Sequence, residues 1–556
     1  MAENQIATQK KAEHKSPAVA SQEALMRIFT IPEDPDSTLG KIEQHLSQNL
    51  NGFLNDHIAA VEKPLHEIEK DFSQSKIPEQ PTYVSDHAQE LLDKLVAHSV
   101  HTSSPSFIGH MTSALPYFLL PLSKLMVGLN QNLVKIETSK AFTPLERQVL
   151  GMMHHLAYGK GDKFYQQWMH SADHALGAFC SGGTVANISA LWIARNNLFK
   201  PSGDFRGIAQ VGLFSALKHH GYEGLAILVS ERGHYSLSKS ADALGIGRDM
   251  LIGIQTDGNN RIRTDLVKQK CIELAERNIK VLAIVGVAGT TETGNIDPLD
   301  ELADIAQRHK IHFHVDAAWG GATLLSNRYR KLLRGIERAD SITIDAHKQM
   351  YVPMGAGIVL FKDPKMSSAI THHANYILRK GSKDLGCHTL EGSRPGMAML
   401  VHSSLQIIGR KGYELLIDQS MDKARYFASL INAEDNFEII SEPELCLLTY
   451  RYVPHQVQKA MPQIMVHKCH EMNELLNELT SFIQKQQRET GKSFVSRTRL
   501  TPQKYNRQEI AVLSVVLANP VTSHEILKDV LIEQQQLALQ NKPLMDKIME
   551  CLNEVD

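Results

Sequence analysis

The chain has 556 residues, too long for one small domain and enough for two to four with an ample core. Its 59 basic and 61 acidic residues give a formal net charge of −2, which offers no basic field for nucleic acid; 42% hydrophobic and 22% charged residues are ordinary for a globular soluble protein. Cys180, Cys271, Cys387, Cys446, Cys469 and Cys551 lack CxxC spacing, which argues against a zinc site or a disulfide framework and fits a reducing, cytoplasmic compartment.

Residues 1–24 are polar, rich in Ala, Gln, Glu and Lys, and carry no apolar signal-peptide core; a disordered tail is expected there. A helical N-terminal segment is expected over 25–115. Within it Leu39, Ile42, Leu46, Leu50 and Leu54 recur at helical spacing, 73–81 reads as a linker, and a helical pattern resumes at 85–98. The longest apolar stretch, 114–127, is interrupted by Pro116, Pro121 and Lys124 and is too short and broken to span a membrane.

Strand–helix alternation begins near 175. Strands are predicted at 175–180, 225–230, 281–288, 311–316, 341–345 and 357–361, with helices to about 200, near 236–244 and near 299–309. Apolar strands alternating with helices imply a mixed, mostly parallel sheet covered on both faces, and ligands bind such sheets at the carboxyl ends of strands. After about 396 the pattern shifts to a long helix over 398–433, strands near 437–452, an irregular polar region, a strand at 510–518 and a helix at 522–540. That is the pattern of a smaller α+β domain. The expected layout is therefore a large domain over 116–395 and a small one over 396–556.

The chemistry-bearing residues lie at the predicted strand ends. Ser181-Gly182-Gly183-Thr184 opens a helix and can cradle a phosphate with backbone amides and the Thr184 hydroxyl; alone it is equally an ordinary turn with a threonine cap. His234 follows a strand and could stack on a ring or protonate a substrate. Asp316 puts a carboxylate at the inner end of an apolar strand, a costly burial unless it is paired, and a protonated ring nitrogen is a suitable partner. Ala318 is small enough for a ring to lie flat above it. Lys348 ends Ser341-Ile-Thr-Ile-Asp-Ala-His-Lys348. A Schiff-base lysine, an aspartate for the ring nitrogen and a phosphate turn, in this order, point to pyridoxal 5'-phosphate.

These segments, with Ala288-Gly-Thr-Thr291 and His314-Val-Asp-Ala-Ala-Trp-Gly-Gly321, resemble the group II pyridoxal phosphate-dependent decarboxylases over roughly 100–400. The resemblance implies fold type I, an α/β large domain with a seven-stranded sheet. It implies an obligate homodimer with the active site at the subunit interface, while the charge and the broken apolar stretch already point to no nucleic-acid or membrane partner. Lys348 would be the cofactor's attachment point, Asp316 the partner of the ring nitrogen, and His234 the stacking residue. Gly182, Gly183 and Thr184 would contact the phosphate, with His347 beside it. Arg394, in Glu391-Gly-Ser-Arg394-Pro-Gly, would bind the substrate α-carboxylate, and His110, in Pro105-Ser-Phe-Ile-Gly-His110, would line the substrate pocket. The bacterial subgroup acting on aspartate is the most similar, which implies a small acidic substrate and α-decarboxylation of L-aspartate to β-alanine and CO2. Glutamate, sulfinoalanine, carbon–carbon lyase chemistry and a catalytically silent binding subunit are the alternatives. The chain departs from the family at Asp345, where asparagine is common, so no phosphate contact is carried over there. Val287 stands where relatives often have threonine, and the 376–389 loop has Lys383 near the place of a proton-donating tyrosine.

Overall fold

The computed structural model of the chain describes residues 38–54, 59, 63–372, 381–463 and 465–553. The expected tail at 1–24 and the 373–380 part of the loop lie outside the described residues. The first strands are β1 (Gly177–Cys180), β2 (Gly224–Ser230), β3 (Leu251–Ile254), β4 (Ile279–Val287), β5 (His312–Asp316), β6 (Ser341–Asp345) and β7 (Gly357–Phe361). They form one seven-stranded sheet in the order β1-β7-β6-β5-β4-β2-β3. β7 runs antiparallel to both neighbours, while the pairs from β6 through β5, β4 and β2 to β3 are parallel. The mixed, mostly parallel sheet is therefore as expected.

The sheet's chemistry explains its covering. β5, β6 and β7 are buried along most or all of their length, and β4 exposes little beyond Lys280, so both faces need helices. Each buried Val, Leu or Ile here stabilises by roughly 1.5–3 kcal/mol relative to exposure. Helix Gly183–Leu198 packs on one face with Ala186, Ala190 and Ile193 inward, and helix Leu299–His309 packs with Leu302 and Ile305 inward. β7 comes very close to the turn after β1: a Cβ on Gly357 would lie 2.5 Å from a backbone carbon of Gly182. Only a glycine lets the two meet.

A second sheet, in the order β10-β11-β9-β8, is built from β8 (Phe437–Ser441), β9 (Leu447–Tyr452), β10 (Ser496–Leu500) and β11 (Ile510–Val516). All its pairings are antiparallel. The region expected to be irregular holds a 25-residue helix, Val466–Thr490, which buries Met472, Leu476, Leu479 and Ile483 at helical spacing. Helices Ile208–His220, Thr264–Glu276 and Lys542–Asn553 and the short β3 also escaped the sequence reading. The long helix Ala398–Ala433 is as expected in extent but turns at Gly409, which sits at φ 65°. No described helix is long and apolar enough to cross a membrane.

Candidate active site

The carboxyl ends of β1, β2, β4, β5 and β6 open on one cavity of about 540 Å³. Gly182, Gly183, Thr184, His234, Asp316, Ala318, His347, Lys348 and His110 all line it, and Arg394 does not. Gly182 is the N-cap of helix Gly183–Leu198, two places earlier than a Thr184 cap would require. The helix thus presents its first free amides, with their partial positive charge, to the cavity.

Asp316 ends β5 almost fully buried. Its Oδ1 accepts from the Ala318 amide at 3.1 Å and its Oδ2 from Asn187 Nδ2 at 2.8 Å. Each oxygen can accept again, which leaves capacity for a ring N–H. At the end of β6, Lys348 Nζ lies 3.3 Å from Asp345 Oδ2, and His347 Nε2 lies 3.6 Å from the same oxygen. Burial raises the Asp345 pKa, against the pull of Lys348 and His347. Burial lowers that of His347. Asp345 Oδ1 and His347 Nδ1 are buried with no hydrogen-bond partner. Gly183 sits against this pair: a Cβ there would meet Asp345 Oδ2 at 2.7 Å and Ala318 Cβ at 3.3 Å.

His234 accepts the Ser236 amide hydrogen on Nδ1 at 3.2 Å, so its neutral ring carries the proton on Nε2. Burial pushes its pKa below 6.5, with Asp316 opposing, so this neutral donor form prevails at pH 7. His110 Nδ1 accepts from the Thr112 amide at 3.3 Å, and burial and Lys348 lower its pKa as well.

Arg394 departs from the expectation. Its guanidinium is buried and bound two-pronged to Glu146, Nη1 lying 2.5 Å from Oε2 and Nη2 contacting Oε1. The fork that would grip a substrate carboxylate is spent on a carboxylate of the protein. The neighbouring Glu391 accepts from the Ser181 amide at 3.0 Å, so this segment braces the phosphate turn. Asp345 and Asn187 are the residues the sequence reading passed over. Asp345 departs from the asparagine common in the family, yet it is the residue beside Lys348 Nζ. Asn187 gave no signal beyond lying one helical turn past Thr184.

The residues fit pyridoxal phosphate. An open helix N-terminus suits the phosphate, a buried carboxylate with spare acceptor capacity suits the ring nitrogen, and the partnerless atoms of Asp345 and His347 call for a further polar group. Residues 64–453 match the family model described as the pyridoxal-dependent decarboxylase conserved domain. The chain is 67% identical to an aspartate 1-decarboxylase of Aliivibrio fischeri over 535 residues, 96% of this chain and 98% of that protein. It is 29% identical to the acidic amino acid decarboxylase GADL1 of Homo sapiens, over 66% of this chain and 68% of that one. The crystal structure of mouse CSAD superposes with a TM-score of 0.76 at 24% identity, covering 89% of this chain and 98% of that chain, a likeness of fold.

Proposed function

The chain belongs to the pyridoxal-dependent decarboxylase family, and on that premise we propose that the cavity described above is its active site. The enzyme is a pyridoxal 5'-phosphate-dependent carboxy-lyase that converts L-aspartate to β-alanine and CO2. The near full-length likeness to an aspartate 1-decarboxylase supports the substrate. The observation that carries the chemistry is the convergence of Lys348 and buried Asp316 on one cavity from the ends of adjacent strands.

When bound, the cofactor supplies an electron sink for the pair left by the departing carboxylate. Lys348 would hold it covalently, and Gly182, Gly183, Thr184 and His347 would hold its phosphate. His234 and Ala318 would flank the ring. Asp316 would accept the ring nitrogen's N–H on a carboxylate oxygen with spare capacity and so favour the protonated ring. His234, with hydrogen on Nε2, donates into the substrate space and orients the carboxylate that leaves. His110 lies on the same cavity wall as part of the substrate pocket. Arg394 serves the fold by closing on Glu146.

The same reading gives a large domain at 116–395 with a small one at 396–556, and a homodimer in the cytoplasm. The exposed apolar side chains of Tyr117, Leu120, Leu125, Val127 and Leu129 support the second copy. That no disulfide links the six cysteines supports the reducing compartment.

The test is reconstitution with pyridoxal phosphate and separate incubation with aspartate and glutamate, with amine product and CO2 quantified. Equimolar β-alanine and CO2 from aspartate are expected, with glutamate slower by roughly 10–200-fold for the extra methylene. Faster turnover of glutamate would move the substrate. No CO2 from either would overturn the reading.

A further inference from the structure

His312, His314 and Asp316 occupy alternate positions of β5 and share one face of it. Ser341 is the register partner of His314 on β6, and Asn187 reaches the same face from helix Gly183–Leu198. The five side chains are joined in series. His312 Nε2 lies 2.8 Å from Ser341 Oγ, and Ser341 Oγ lies 2.9 Å from His314 Nδ1. His314 Nε2 lies 3.1 Å from Asn187 Oδ1, and Asn187 Nδ2 lies 2.8 Å from Asp316 Oδ2.

The direction of every bond follows from one constraint. An ionised carboxylate only accepts, so Asn187 donates through Nδ2 and turns its Oδ1 to His314. A reversed amide would set two acceptor oxygens against each other. His314 must then donate from Nε2, which leaves a lone pair on Nδ1 for the Ser341 hydroxyl hydrogen. Ser341 Oγ in turn accepts the Nε2 hydrogen of His312. Burial pushes the His314 pKa down to about 4, so the ring is neutral with one hydrogen. The other Asn187 amide hydrogen goes to Ser236 Oγ at 3.0 Å, and the Ser236 amide is the donor to His234.

We propose that His312, Ser341, His314 and Asn187 form a one-directional positioning relay that holds the Asp316 carboxylate aimed at the ring nitrogen of pyridoxal phosphate. The proposal rests on reading the cavity as a pyridoxal phosphate site. Each donor polarises the next, so the chain stabilises negative charge at its end more than Asn187 would alone. His312, Ser341 and His314 do not line the cavity. They act through Asn187 and Asp316.

The experiment titrates the apoprotein with pyridoxal phosphate and with its 1-deaza analogue, in which a C–H replaces the ring nitrogen. Wild type is expected to prefer pyridoxal phosphate. Asn187→Leu and His314→Phe should lose about tenfold or more of that preference, the scale of a hydrogen bond to a charged group, with analogue affinity unchanged. Ser341→Ala should lose part of it and Ser341→Thr should restore it. Equal weakening of both ligands would mean a merely structural role and overturn the relay. Nitrogen-15 NMR of histidine-labelled wild-type apoprotein reads the relay directly, even where a variant fails to fold. His314 protonated on Nε2 is the expected result, and protonation on Nδ1 overturns the proposal. A wild type that binds neither ligand would instead remove the cofactor reading, and the relay with it.

Discussion

The two halves of the cavity are built differently. On the ring side, Asp316 and Asn187 are buried, hydrogen-bonded and carried by a strand end and a helix that cannot shift without unpacking the sheet. On the substrate side, His110 sits on a loop, Tyr235 and Met354 are well exposed, and the arginine expected to grip the substrate is bound to Glu146. In the proposed site, the residues assigned to the cofactor are fixed by strand register, and those assigned to the substrate depend on loops and on pairings between distant parts of the chain.

Removing Lys348 should expose this contrast most strongly. Lys348→Ala is expected to lower kcat by about 10³-fold or more, the upper part of the scale for a positioned proton-transfer group, and to abolish the visible absorption of the reconstituted protein. Turnover that survived would contradict the proposed placement of the cofactor on the ring side. Asp316→Asn should keep the shape but lose the charge, lowering kcat by about 10²–10³-fold with the KM for aspartate little changed.

Glu146→Gln probes the other half. Breaking a buried pair from one side costs about 3–5 kcal/mol, so melting by calorimetry should fall by several degrees. The KM for aspartate should not change. A KM that fell would mean that the freed Arg394 reaches substrate, and would erase the distinction between the halves.

A further effect is on pH. His154, His314 and His388 are all held by burial near 4, below the ordinary 6.5. Between those values the unfolded chain binds their protons and the native protein does not, so stability falls as pH drops from about 6.5 to about 4. Asp297, raised to about 7 by burial, acts with the opposite sign and offsets part of the loss. Denaturant midpoints across pH 4–7 check the net direction.

The sequence was readable where local pattern decides the outcome. Strand ends are marked by apolar runs that stop at a polar residue, which is why Asp316, Lys348 and His234 stood out and why the structure brings them to one cavity. Helix Ala398–Ala433 was visible from its length and periodicity. Helix Val466–Thr490 was not, because its four buried apolar positions are diluted among Asn, Glu and Gln. Arg394 misled for a related reason: a guanidinium beside a Gly-Ser turn has the same sequence whether it meets a substrate or Glu146. His314 and Asn187 gave no sign of their role, since it exists only in their contacts with Ser341 and Asp316 across the folded sheet.

Borohydride reduction of the reconstituted protein, followed by peptide mass mapping, tests the assignment of the ring side most directly. The phosphopyridoxyl group is expected on Lys348 and on no other lysine. Its appearance on a different lysine, or a protein that turns over aspartate with Lys348 unlabelled, would contradict the placement of the active site at the ends of β5 and β6.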